Sequence, residues 1–172
     1  MRKFFTLLIA SLTVMAFKSS DLKPVDSDEA VTFTIKNFGI NTSGEFKGLK
    51  GTIKWDAANP SASIFNVTVD ASTINTGIDM RDNHLRKEEY FNVEKYPVIT
   101  FVSTAVTANN VTGNLTIKGV TKQVSFPFTV KPSTGGYLFE GSFDLNRRDY
   151  GVGGGSVSLS NNATVHLKVQ AK

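Results

Sequence analysis

The sequence predicts an all-β fold, an antiparallel barrel or sandwich broken by one short helical segment. Three observations carry this. Apolar and polar residues alternate in run after run, the pattern of strands with one buried face. The connectors are short and rich in turn residues. Cysteine is absent, so packing and backbone ladders alone must hold the domain together.

The alternation begins at residue 31. In VTFTIKN, Val31, Phe33 and Ile35 share one face and Thr32, Thr34 and Lys36 the other. GEFKGLKGTIKWD, residues 44–56, puts Phe46 in one phase and Leu49, Ile53 and Trp55 in the other. Gly48 and Gly51 stand at the change and predict a bulge or a sharp bend. Taken as one strand of 13 residues, this stretch spans about 40 Å, which suits an elongated interior. Phe65, Val67 and Val69 alternate next, then Ile99 and Phe101, then Val111, Leu115 and Ile117. Val124, Phe126, Phe128 and Val130 follow, with Pro127 between two inward rings. A proline cannot donate to a ladder, so Pro127 predicts a local edge or a gap in pairing. Tyr137, Phe139, Phe143 and Leu145 form the next run, and Val165, Leu167 and Val169 the last. Asn109-Asn110, residues 119–121 and the PSTGG stretch from Pro132 to Gly136 are the tight reversals between them.

The N-terminus has a different character. Arg2 and Lys3 precede an apolar run from Phe4 to Phe17, the form of a secretory signal peptide with cleavage after Ala16. The run falls short of the roughly 20 apolar residues of a membrane span. The expected protein is therefore periplasmic or secreted and not an integral membrane protein. Residues 17–29 lack periodicity and read as a flexible tether, leaving 30–172 as one barrel domain. Loss of Arg2 and Lys3 reduces 19 basic residues to 17 against 15 acidic, so the formal charge falls from +4 to +2. No basic stripe with interleaved aromatics is present, and nucleic acid is not an expected partner.

Little in the chain supports catalysis. His84 and His166 are the two histidines, and no third nitrogen or sulfur donor accompanies them, so no metal site and no cofactor are expected. His166 lies out of phase with the apolar face of its strand and reads as exposed. The GVGGG stretch, residues 151–155, precedes an alternating run rather than a helix and reads as a hinge rather than a phosphate cradle. The apolar inventory stands out instead, with 13 phenylalanines, four tyrosines and one tryptophan mainly on inward phases. A barrel of about eight strands either fills its interior with such side chains or holds one small ligand. Alternation alone leaves both open.

Three stretches narrow the choice. STINTGIDMRDNHLRKEEYFNVEKYPVITF, VTGNLTIKGVTKQVSFPF and NRRDYGVG, with SGEFKGLKGTIKWD before them, resemble the YceI-like family of secreted lipid-binding proteins over about residues 30–170. The resemblance implies an extended, lipocalin-like antiparallel β-barrel with a helical segment near its mouth. It also implies a tunnel for a long-chain isoprenoid, quinone or fatty-acid-like lipid, often in a homodimer, and no enzymatic activity. The polar segment 79–97 then becomes the cover of one barrel end.

The lining expected on this basis is Phe33, Ile35, Phe38, Trp55, Phe65 and Val67 from the first half of the chain. Leu85, Tyr90 and Phe91 come from the cover, and Phe101, Leu115, Phe126, Phe128, Phe139, Phe143 and Tyr150 from the later strands. Arg81, Asp82, His84 and Arg147 are candidate headgroup contacts at the mouth, with an internal capping network as the competing role for them. The family often carries histidines where this chain has Asp28-Glu29 and Asn37. Two rival functions are a filled barrel acting through its surface, as an envelope or stress accessory, and a lipid-headgroup hydrolase using His84 and Asp82. N-terminal sequencing of the exported protein is expected to begin near Phe17; a retained Met1 would contradict the signal-peptide reading.

Overall fold

A computed structural model describes residues 20–172, so the proposed signal peptide and its cleavage site lie outside the described residues. The described residues form ten strands in one antiparallel sheet. They are β1 (Ser20–Leu22), β2 (Val31–Asn37), β3 (Ile40–Phe46), β4 (Lys50–Trp55), β5 (Ile64–Asp70), β6 (Val98–Val106), β7 (Asn110–Ile117), β8 (Val120–Ser133), β9 (Gly136–Asn146) and β10 (Leu159–Ala171). In space they run β1-β4-β5-β6-β7-β8-β9-β10-β2-β3. One helix, α1 (Asp79–Leu85), lies between β5 and β6, inside the segment expected to be the cover.

Ten strands replace the expected eight for two reasons. The stretch 44–56 is not one long strand. It breaks at residues 47–49 into β3 and β4, and the phase change at Phe46 and Leu49 marks the corner. Gly51 follows the corner at φ 132, and a Cβ there would lie 2.1 Å from the Asn66 carbonyl oxygen of neighbouring β5. The elongated interior comes from β8 and β10 instead, with 14 and 13 residues.

The second reason is that residues 20–29 are not a free tether. β1 pairs with β4, Ser20 opposite Trp55 and Leu22 opposite Ile53. The backbone N–H groups of Lys23 and Val25 then donate to the carbonyls of Lys172 and Gln170, each at 2.7 Å. Residues 20–25 thus join the β4 edge to the end of β10, across the seam of the curled sheet. Asp26 accepts from the N–H groups of Gly48 (2.9 Å) and Leu49 (3.1 Å) and so caps the β3–β4 corner. These contacts use backbone or one short carboxylate and leave no apolar periodicity to read.

Pro127 sits where the ladder allows it. β8 pairs with β7 as far as Pro127 and with β9 from Phe128 onward. The strand changes partner at the residue that cannot donate.

Inward-facing rings close one end of the curled sheet. Trp55 meets Phe128 and Phe139 edge-on at 5.9 and 5.8 Å, and Phe65 meets the same two rings at 5.7 and 5.4 Å. Such perpendicular pairs are favoured by the ring quadrupoles. The Trp55 indole N–H is buried there without a partner among the described residues, which costs stability. Gly51→Ala is expected to lower stability by about 2 kcal/mol or more, because it combines a positive φ with a backbone clash. Urea unfolding would measure it, and an unchanged midpoint would contradict the geometry.

Candidate ligand-binding site

Above the aromatic floor the sheet encloses an apolar cavity of about 450 Å³. Its lower wall is Phe65, Phe128 and Phe139, the cavity-facing side of the floor. Phe33, Ile35, Val67, Phe101, Leu115, Phe126 and Phe143 line its flanks, Phe126 and Phe143 stacked at 4.6 Å. Leu85, Tyr90, Phe91 and Tyr150 border it from the cover and the turn after β9, and Phe38 from the β2–β3 hairpin tip. The apolar residues expected in the lining thus border one cavity, apart from Trp55. That ring lies behind Phe128 and Phe139, one layer below the cavity. The interior is not filled by its own side chains.

The opposite end is polar. Asn37, Thr42, Thr76, Arg81, His84, Ser156 and Ser158 border the cavity there. Of the four expected mouth contacts, Arg81, His84 and Arg147 line it and Asp82 does not. Asp82 is buried and accepts from both the N–H (2.9 Å) and the hydroxyl of Thr76. Arg81 donates to the same threonine, Nε to Oγ1 at 2.7 Å and Nη2 to the carbonyl at 2.8 Å. The two side chains together tie the start of α1 to the segment before it through Thr76, an internal network that leaves the N-terminal N–H groups of α1 without a side-chain cap. His84 lies 3.8 Å from Glu89 and packs edge-on to Tyr90 at 5.0 Å. Residues two apart on a helix face different ways, and Asp82 and His84 engage different partners, so they do not form a catalytic pair.

Arg147 is buried, and among the described residues no carboxylate pairs with it. Its guanidinium donates to backbone carbonyls instead: Nη1 to Val152 (2.7 Å), Nε to Ser160 (2.9 Å) and Nη2 to Gly154 (3.1 Å). Burial lowers its pKa, although a guanidinium remains charged. The cation is the nail around which the 151–160 loop folds. Burial also raises the pKa of the neighbouring Tyr150 phenol. The Tyr150 hydroxyl makes no hydrogen bond to a described residue, so it is free to meet a polar atom in the cavity.

The model of the YceI-like domain family matches residues 23–171. The chain belongs to the YceI-like family. It is 39% identical over 137 residues to a UPF0312 protein of Pseudomonas aeruginosa, covering 71% of this chain and 70% of that one. It is 43% identical over 100 residues to protein YceI of Salmonella arizonae, covering 55% and 52%. Among solved structures it resembles Burkholderia cenocepacia BcnA, with a TM-score of 0.76, 27% identity, and coverage of 81% and 93%. A polyisoprenoid binding domain from Saccharophagus degradans, implicated in plant cell wall breakdown, shares the fold with a TM-score of 0.72 at 17% identity, over 88% and 97%.

Sequence reasoning missed three kinds of lining residue in this YceI-like chain, one being aliphatics such as Val69, Val111 and Val165, whose inward phase was visible. Phe46, Leu49 and Ile53 border the cavity from either side of the β3–β4 corner; their phases were visible, but one continuous strand cannot place both inside. Thr42, Thr76, Ser156 and Ser158 are polar or lie in loops, where alternation carries no signal. Arg147→Ala would leave several buried carbonyls without donors, so stability should fall by roughly 2–4 kcal/mol. Arg147→Lys should recover less than half of that, since one ammonium cannot serve carbonyls on three sides. Thermal unfolding of the pair checks this, and full rescue by lysine would contradict it.

Proposed function

We propose that this protein binds a long-chain isoprenoid or similar amphiphilic lipid in its apolar interior and carries or sequesters it in the periplasm, without catalysis. One observation carries the reading: a single curled sheet encloses an open apolar cavity of about 450 Å³, floored by rings and polar at the mouth. The polyisoprenoid binding assigned to the Saccharophagus degradans domain of the same fold supports the ligand class.

The volume bounds the cargo. At roughly 30 Å³ for each water-sized group, the cavity holds about fifteen methylene-sized groups. At about 0.8 kcal/mol per buried CH₂, such a chain gains roughly 12 kcal/mol before ordering costs. Those costs remove much of it and leave micromolar or tighter binding. A longer isoprenoid extends its remainder through the mouth. The buried Arg147 cation and the unpartnered Tyr150 hydroxyl favour an electron-rich head, such as a quinone carbonyl or a phosphate. The mouth then holds the head and the floor the tail.

Native mass spectrometry of the exported protein, with organic extraction of whatever is bound, tests this. The expected result is an added mass that extracts as an isoprenoid-like lipid, or uptake of offered farnesol. Phe128→Asp should abolish that uptake, and Tyr150→Phe should weaken a headed ligand while sparing a pure hydrocarbon. An empty protein that refuses every apolar probe would overturn the reading.

A further inference from the structure

Five large apolar side chains of the described residues are more than half exposed: Phe38 (79%), Ile40 (71%), Ile78 (51%), Met80 (83%) and Val157 (fully). They come from three separate segments, and all three segments border the cavity mouth. Phe38 itself lines the cavity, as do Ser156 and Ser158 on either side of Val157 and Thr76 and Arg81 around Ile78 and Met80. The Phe38 N–H donates to the Ser158 carbonyl at 2.9 Å, which fastens the first segment to the second. The exposed apolar surface of this protein is therefore concentrated as a rim around one opening, and the remaining exposed apolar residues are less exposed.

Local chemistry does not require these residues. Phe38 and Gly39 have φ of 51 and 76, the two-residue hairpin turn that favours Asn-Gly. A non-glycine residue at the first of these positions costs about 1–3 kcal/mol of backbone strain, and the Phe38 ring recovers little of it by burial, since it touches the cavity edge but stays mostly exposed. Val157 likewise projects from a loop of glycine and serine with nothing against it. Side chains held out at a cost are commonly there for a partner.

The shape and charge of the rim select the partner. Isolated tips on three loops offer no flat face of the roughly 800 Å² per side that a stable protein interface needs, whereas a fluid apolar phase fits any contour. Charge is depleted at two of the three segments: no residue from 150 to 165 is charged, and Lys36 is the one charge from 30 to 44, in a chain that is 20% charged. A surface that enters an interface must avoid desolvating charge, and the first two segments carry serine, threonine, asparagine and glycine beneath their apolar tips, while in the third Asp79 and Arg81 flank Met80. The cavity and the rim form one continuous apolar path from the floor to the outside.

We infer that the mouth rim docks on a lipid bilayer surface, inserting Phe38, Ile40, Ile78, Met80 and Val157 so that an apolar chain passes between membrane and cavity without crossing water. The inference rests on the lipid-binding reading above but is tested separately. Interfacial binding of this kind scales with buried apolar area and depends little on salt when few basic residues take part.

The test is flotation of the exported protein with phosphatidylcholine vesicles at low and high salt, comparing wild type with the double variant Ile40→Asp, Val157→Asp. Neither position lines the cavity beneath the rim, and both are exposed, so a matching urea midpoint verifies the fold. Farnesol uptake, read from the fluorescence of Trp55, is measured in parallel. Wild type should float at both salt concentrations, and the variant's partition should drop by roughly tenfold or more, with farnesol uptake retained. Wild type that takes up farnesol but does not float overturns the docking and leaves the lipid-binding reading standing. Flotation without farnesol uptake supports docking and overturns that reading. Flotation lost at high salt, or a variant that floats equally, overturns the docking. So does a wild-type dimer that the variant dissociates while neither form floats, since the rim would then be a contact between copies.

Discussion

The edge-to-face cluster of Trp55, Phe65, Phe128 and Phe139 is the constraint from which the rest follows. Four rings on four strands meet near the perpendicular, and each such pair adds about 0.5–1.5 kcal/mol beyond its buried area. The cluster joins β4 and β5 to β8 and β9, strands far apart in sheet order. The sheet must curl for them to touch. Once it curls, the interior above the cluster cannot be reached by enough side-chain volume to fill it, and a cavity remains. The floor thus makes the difference between a pore open at both ends and a pocket with one mouth.

Closing the curl demands a seam, and the chain solves it with backbone. Residues 20–25 connect β4 to the end of β10, and Glu45 exchanges backbone hydrogen bonds with Asn75 at 2.9 and 3.1 Å. Of these two devices only the first buries a large apolar side chain, Leu22, and a single one gives no periodicity. The mouth follows the same economy of elements: Arg147 gathers one loop by its carbonyls, and Thr76 gathers the start of α1 through Arg81 and Asp82. Four ionisable residues at one opening could suggest catalysis. In this fold three of them, Arg81, Asp82 and Arg147, mostly hold loops in place, and they leave Tyr150 as one of several cavity-lining polar side chains, with Asn37, Thr42 and Tyr90, that have no hydrogen-bond partner among the described residues.

Legibility in the sequence divides along physical lines. Strands with one buried face announced themselves, because period-two alternation is what a half-buried strand must show. Pro127 and the Gly48–Gly51 corner were equally readable, since both are positions where backbone chemistry restricts the residue. The seam strand Ser20–Leu22 was not readable, because three residues with one buried side chain, Leu22, are too few to show a period. Trp55 was expected in the lining since its phase is inward; phase reports which face a residue takes, not how many layers of rings stand in front of it. The polar part of the mouth was invisible to periodicity and became visible through the resemblance to the YceI-like family and the loop geometry together.

The central claim is that an apolar chain lies inside the sheet with its end on the aromatic floor. The most direct measurement is isotope-filtered NMR of the protein with labelled farnesol. Cross-peaks from the chain terminus to the rings of Phe65, Phe128 and Phe139 are the predicted result. Cross-peaks confined to Phe38 and the 151–158 loop, with none to the floor rings, would contradict it.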